Sequence, residues 1–308
     1  MNSRLIEARR KLVRKAPYRA LQAAYYTHYQ LRVRPQRRTA GQDAGLRDGP
    51  ALKRIYRRNS DRLFILGSGW SINEMDPARL REIAAADTFG FNLWVRHPFV
   101  PSLYTVELAN FAENPLGRPV ARRIADLLDR RPEYRSVPIV FSDYEATRRE
   151  CLDYYPRWVR ESAFSLNTIP AIARNRLELD RSLITLSRMG VFAVGSNLTR
   201  VFKYRATLSM LIALGAGLGY REIVLCGIDI NDPRYFYQDA ETYPDMTNFW
   251  SSPRRERHNT AYASPMQVSI MDVVFGMDEE ILKPRGIRLF VENSSSALHP
   301  RVPVFRSA

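Results

Sequence analysis

Arg62-Leu63-Phe64-Ile65-Leu66-Gly67-Ser68-Gly69-Trp70-Ser71 decides the fold. A short apolar run that enters two closely spaced glycines reads as a buried strand running into a tight turn. The same alternation continues along the chain. Pro77–Ala86 reads as a helix, Thr88–Phe91 as a second strand and Ser102–Val106 as a third. Pro119–Arg130 reads as a helix, Val137–Phe141 as a strand, and Leu183–Leu186 is one more candidate strand. Lys203–Leu218 is rich in Ala and Leu and reads as a long helix. Gly219-Tyr220 ends it before the strand Glu222–Cys226, which Gly227 stops. Gly286 closes a last helix ahead of the strand Ile287–Val291. Strands alternating with helices imply an α/β fold with a doubly wound, mostly parallel sheet.

The 308 residues are 45% hydrophobic, ample for a packed core in one large domain with an appendage. The net charge of +15 is unevenly placed. Residues 1–60 hold 16 Lys/Arg against 3 Asp/Glu, and residues 61–308 hold 31 against 29. The division expected is therefore a basic helical arm and linker over 1–60 and a nearly neutral body over 61–308. The two cysteines, Cys151 and Cys226, fit no metal spacing and point to a reducing compartment. No run approaches the roughly 20 apolar residues of a membrane span. With no secretory signal core either, the expectation is a cytoplasmic protein.

Residues 3–34 read as one or two helices. Leu5, Ile6, Leu12, Val13 and Ala16 share a face, and Arg9, Arg10, Lys11, Arg14 and Lys15 surround it. Pro17 interrupts, then Leu21, Tyr25 and Tyr29 follow at i+4 spacing beside Tyr18 and Tyr26. A basic helix with aromatics suits an anionic membrane interface, and equally a helix docked on the body with its cations in water. Residues 35–60, with Pro35, Gly41, Gly45, Gly49 and Pro50, read as a linker.

In a parallel α/β sheet, ligands bind at the carboxyl ends of strands, where the strand order reverses. The turn Gly67-Ser68-Gly69 lies at such an end and would let backbone N–H groups approach a phosphate, with Ser71 capping the helix that follows. A dinucleotide fingerprint would need glycine at position 72, which is Ile72, and an acid at the end of the second strand, which is Asn92. NAD is therefore disfavoured, and no P-loop motif is present. Asn92 can both donate to and accept from a base or sugar. Glu107 ends the third strand, and Gly227 and Asp229 end the strand Glu222–Cys226. Asp229 with Asp232 is one possible cation pair, although Asp232 before Pro233 also fits a turn. Residues 230–265 gather aromatic and basic side chains without a clean period and read as a lid, His258 being its histidine.

These features together resemble the bacterial sialyltransferases of glycosyltransferase family 42. The similar stretches are the G-x-G-x-S turn Gly67–Ser71 with Asp76 after it, the strand ending in Asn92, and Gly219–Asp229 after an Ala-rich helix. Asn293-Ser294 near the C-terminus is similar too. The resemblance implies a Rossmann-like, GT-A-variant sheet that binds a CMP-activated acidic sugar without a metal or other cofactor. It would place Gly67–Gly69 and Asn92 on the nucleotide and Thr207 on the donor. Of the two tyrosines that meet the leaving phosphate, one matches Tyr237. The other falls on Asn231, with Tyr235 nearby. The family's basic histidine falls on Tyr262, and His258 matches the first histidine of the same H-x-x-x-H pattern. A histidine suits proton removal near neutral pH better than a tyrosine of pKa about 10. His258 is therefore the expected base, with Tyr237 and Tyr262 beside it in the catalytic set. Glu107 and Asp232 are alternative bases. The expected partners are a CMP-sugar, a glycan or lipid-linked acceptor, the anionic inner face of the cell membrane met through the basic arm, and a second copy, with nucleic acid not expected.

Two other readings compete. A Mg²⁺-dependent nucleotide phosphotransferase of the pterin pyrophosphokinase type has a similar G-x-G-x-S opening and would use Asp229 and Asp232 on the metal. A non-enzymatic protein that captures polyanions through its basic arm is the third.

Overall fold

The computed structural model describes residues 17–112, 114, 117–142, 145–195, 197–246, 259–263 and 267–306. Its centre is a sheet of eight strands: β1 (Arg47–Asp48), β2 (Arg62–Leu66), β3 (Asp87–Phe91), β4 (Leu103–Glu107), β5 (Ile139–Ser142), β6 (Phe164–Leu166), β9 (Glu222–Cys226) and β10 (Arg288–Val291). They lie in the order β1-β6-β5-β4-β3-β2-β9-β10, and every pairing is parallel. Two short strands, β7 (Thr168–Ile169) and β8 (Val201–Phe202), pair separately.

The apolar runs follow from burial on both faces. Along β2, Leu63 and Ile65 enter one core while Phe64 and Leu66 enter the other. Along β9, Ile223 and Leu225 divide from Val224 and Cys226 in the same way. Eight helices serve the argument: α1 (Tyr18–His28), α2 (Arg34–Asp43), α3 (Gly49–Ile55), α4 (Pro77–Ala84), α5 (Gly117–Asp129), α6 (Arg176–Arg188), α7 (Thr207–Leu218) and α8 (Ile270–Met277). Helices α6, α7 and α8 supply Leu183, Leu211 and Val274 to the first core. Ile83 of α4 and Ile124 of α5 enter the second. Helix α7 is apolar all round because residues 207–217 are all buried.

Several expectations change. Leu183–Leu186 is not a strand but part of α6. Its cap, Asn175, accepts from Glu178 N at 3.0 Å, and Leu179, Leu183 and Leu186 follow at helical spacing. The helix expected from Lys203 begins only at Thr207, after β8. Residues 35–60 are not a bare linker. Helix α2 follows α1 through the turn Tyr29–Val33, and β1 adds a strand beside β6. Leu52 of α3 is wholly buried, and the Tyr56 hydroxyl meets that of Tyr220 at 2.8 Å.

The described part of the arm is docked. Tyr18 donates to the Glu178 carbonyl at 2.7 Å, and Tyr29 donates to the Thr168 carbonyl at 2.8 Å. Burial pushes the Tyr18, Tyr26 and Tyr29 hydroxyls up, so all three stay neutral donors. The basic stretch before Pro17 lies outside the described residues. Both cysteines are free and buried. Among the described residues no helix is long and apolar enough to cross a membrane.

His97 carries a pH consequence. It stacks on Trp94 with centroids 4.5 Å apart, and its Nδ1 accepts from Phe99 N at 3.1 Å. Burial, helped by Arg131, lowers its pKa to about 4. The neutral ring therefore contributes stability that is present above the ordinary value of about 6.5 and is lost as pH falls toward about 4. The loss expected from this one group is about 3 kcal/mol. Urea titrations at pH 7 and pH 4 check it: the decline should flatten in His97→Asn, which keeps an acceptor but no titrating ring.

Candidate functional site

The strand order reverses between β2 and β9, because β3 lies on one side of β2 and β9 on the other. The carboxyl ends of β2 and β9 carry Gly67-Ser68-Gly69 and Gly227-Ile228-Asp229, and the two turns are bonded to each other. Gly67 N donates to Cys226 O, and Gly69 N to Gly227 O, both at 2.8 Å. A Cβ on Gly67 would come within 2.5 Å of Gly227 O, and one on Gly69 within 2.4 Å of Asp229 Oδ2. The glycines therefore serve first to let two backbones touch.

Asp229 is the centre of this arrangement. Its Oδ2 accepts from Ser71 N at 2.7 Å and its Oδ1 from Ser71 Oγ at 2.8 Å. Ser71 is not the helix cap expected. Asp76 caps α4 instead, accepting from Ala78 N at 2.7 Å. Burial raises the Asp229 carboxyl above its ordinary value, against the two Ser71 donors, and Asp232 and Glu74 add to the rise. The N–H groups of Gly67, Gly69 and Ser71 are thus engaged within the protein.

A cleft of about 590 Å³ opens at this switch point. Ser68, Gly69, Gly227 and Asp229 line it together with Asn92, Glu107 and Thr207, and with Asn110, Asn114 and Arg148. Asn92 stands in the left-handed region at φ +52, which asparagine tolerates better than most residues. Its Oδ1 accepts from Glu107 N at 3.4 Å, and its carbonyl accepts from the Tyr104 hydroxyl. Glu107 is fixed on both oxygens, by Thr207 Oγ1 at 2.9 Å and Lys203 Nζ at 3.1 Å. Lys203 also reaches Ser142 Oγ at 3.3 Å.

The aromatic wall comes from the segment after β9. Tyr235 and Tyr237 stack with centroids 5.1 Å apart and planes 9° from parallel. Phe236 between them is buried against Trp94 and His97. Asp245 bridges Arg96 and Arg123, so the segment through residue 246 is anchored to the body. Arg234 holds Asp232 through Nε and a terminal nitrogen, and it covers the Trp70 ring at 4.4 Å. That contact lowers the Asp232 carboxyl pKa.

The charges that line the cleft are mostly matched: Glu107 by Lys203, Asp232 by Arg234, and Arg148 by Glu145 at 3.3 Å. Arg205 differs. It sits at φ +71, donates to Tyr262 O at 2.8 Å and to the Gln267 side chain, and its Nε is buried with no hydrogen-bond partner among the described residues. Two residues on, α7 begins at Thr207, and its N-cap residue Ala206 supplies no side-chain cap.

The cleft thus brings together Ser68, Gly69, Asn92, Glu107, Thr207, Gly227, Asp229, Tyr235 and Tyr237, with Gly67 in the turn beneath. Asn231 and Tyr262 stand outside its lining. The Asn231 amide donates to Ser295 O at 2.8 Å and accepts from Ala297 N at 3.2 Å, pinning the C-terminal segment. Tyr262 is 43% exposed. His258 lies outside the described residues. Arg148 and Arg205, Asn110 and Asn114 escape the sequence reading. Within a chain of 47 Lys/Arg, only position in the fold separates them from surface residues. Comparisons of the chain with protein-family models, curated proteins and solved structures found no match.

Proposed function

We propose that the chain is a glycosyltransferase that moves an acidic sugar from a CMP-activated donor to a glycan or lipid-linked hydroxyl. The observation that carries this reading is Arg205 in the lining of the cleft. Among the described residues Arg205 is bonded to the neutral Gln267 side chain and Tyr262 carbonyl, so its charge is offered to a carboxylate or phosphate. The stacked Tyr235–Tyr237 pair and the amides of Asn92, Asn110 and Asn114 supply the flat walls and neutral polar edges that a nucleoside or sugar needs.

In the reaction, the acceptor oxygen bonds to the anomeric carbon as the bond from that carbon to the phosphate oxygen breaks. The hydroxyl proton passes to a base, and the charge on the departing CMP grows. The resemblance to the sialyltransferases puts the phosphate contact on the Tyr237 hydroxyl and the family's base position on Tyr262. His258, the first histidine of the same pattern, is the base proposed because an imidazole suits proton removal near neutral pH. A donor of this kind leaves without a metal when fixed dipoles and hydroxyls face the phosphate.

The phosphotransferase reading has less support. The two carboxylates it needs are already occupied, Asp229 by Ser71 and Asp232 by Arg234.

Calorimetric titration with CMP, CDP, ATP and NAD, each with and without Mg²⁺, tests the proposal. CMP binding that does not depend on Mg²⁺ is expected. Arg205→Ala should weaken it about 10-fold or more, the loss of a hydrogen bond to a charged group. Binding of ATP only with Mg²⁺, and none of CMP, sinks the reading.

A further inference from the structure

The ends of the strands opposite the cleft present a surface of a different kind. At the end of α3, Lys53-Arg54-Ile55-Tyr56-Arg57-Arg58 places four cations in six residues. Tyr56 is the inward anchor of this stretch, buried and bonded to Tyr220. Arg54, Arg57 and Arg58 are exposed, and Ile55 stands 50% exposed among them. The turn after α6 brings a second apolar tip to the same place, Val194, 64% exposed. The two stretches touch. A Cβ on Gly219 would lie 3.2 Å from Val194 Cγ1 and 4.0 Å from Arg58 Cζ, and one on Gly195 would lie 3.8 Å from Lys53 Nζ. Arg221, whose side chain is 80% exposed, follows Gly219 closely. Among the described residues Asp61 is the acid that meets this cluster, and it is shared by Arg58 at 3.3 Å and Arg221 at 3.9 Å.

We propose that this face, formed by Ile55 and Val194 within their ring of cations, docks on an anionic lipid surface. The inference stands apart from the nucleotide reading of the cleft. Cations near a lipid surface of opposite charge are drawn to it, and branched aliphatic tips gain by leaving water for the headgroup–acyl boundary. The same tips offer nothing to a single strand, whose bases stack on aromatic side chains, and a duplex would meet only the cations and leave the two tips in water. No exposed aromatic belongs to this cluster: among the described residues the exposed large hydrophobics are Leu31, Ile55, Leu177, Val194 and Tyr262. Rigid positioning adds to the fit, because Arg58 is held over the Tyr220 ring at 5.3 Å and donates to Gly219 O.

The test is flotation of the full chain with vesicles of phosphatidylcholine alone or with about 30% phosphatidylserine. Wild type should partition onto the anionic vesicles only. The double variant Ile55→Asp/Val194→Asp should partition at least about 10-fold more weakly while melting as wild type does, since both side chains are exposed. A second readout does not depend on those variants. Val194→Cys carrying an environment-sensitive dye should shift to the blue on anionic vesicles. Cys151 and Cys226, 1% and 0% exposed, leave the new thiol as the labelled one. Unchanged partition of the double variant assigns all binding to the basic residues before Pro17 and overturns the proposal. So does a dye that stays water-exposed on the vesicles, or one that shifts equally with duplex DNA.

Discussion

Gly227→Ala destabilises the fold by about 3 kcal/mol, combining the strain of a left-handed residue given a Cβ with the cost of overpacking. Gly227 sits at φ +63, and its Cβ would fall 2.6 Å from Ile72 Cγ1 and 2.9 Å from Gly67 O. Neither neighbour can retreat easily. Ile72 is buried behind the turn, and Gly67 O belongs to the backbone that forms it. Gly286→Ala is the matching control. Gly286 has φ +67 but nothing within 4 Å of its Cβ position, so only the backbone term of about 1 kcal/mol remains. Urea unfolding of both variants measures the difference. Equal losses would show that the two turns tolerate separation. The same Gly227 variant should lose CMP binding, because parting the turns widens the switch point.

Asp229→Asn is expected to cost about 2–3 kcal/mol, although the change is nearly isosteric. The carboxylate accepts from both Ser71 N and Ser71 Oγ. An amide can accept at one atom only and turns an N–H₂ group toward the other donor. The G-x-G turn then loses the group that fixes its exit, so CMP affinity should fall about 10-fold as well. Ser71→Ala separates the effects. It removes the hydroxyl contact and keeps the backbone one, so it should cost about 1 kcal/mol, as one ordinary hydrogen bond does. If Asp229→Asn matches wild type in both melting and CMP titration, Asp229 is not the post on which the turn hangs.

The switch point is legible in the sequence because both glycine turns stand directly at the ends of apolar runs, at Leu66 and Cys226. Packing, not sequence, shows that those glycines and Asp229 are bound to one another. A strand-end acid looks the same on paper whether it faces a ligand or a neighbouring turn. Leu183–Leu186 misleads because four residues, three of them apolar, are too few to show a period, and the Asn175 cap that settles the matter lies eight residues upstream. The arm is ambiguous for a physical reason. Tyrosines at i+4 suit a lipid interface or a protein groove, and only the carbonyls of Thr168 and Glu178 decide between them. Arg205 is invisible in the sequence because its significance rests on a left-handed backbone and on a buried Nε without a partner among the described residues, both products of the fold.

The pairing of Arg62 with Glu222 sets an order of events during synthesis. Strands β2 through β6 can assemble one after another as they leave the ribosome, since each joins the edge its predecessor left. The other edge of β2 has no such partner until β9 emerges. Through that interval Leu63 and Ile65 wait beside an unpaired row of backbone groups, and the arm tyrosine Tyr18 waits for Glu178. Such long-range closure is slow and leaves a nascent chain open to edge-to-edge association. The cleft therefore cannot exist until β9 has emerged and paired. A chain stalled before Gly227 can hold much of the sheet, yet it has no switch point and no place for a ligand to act as a folding template.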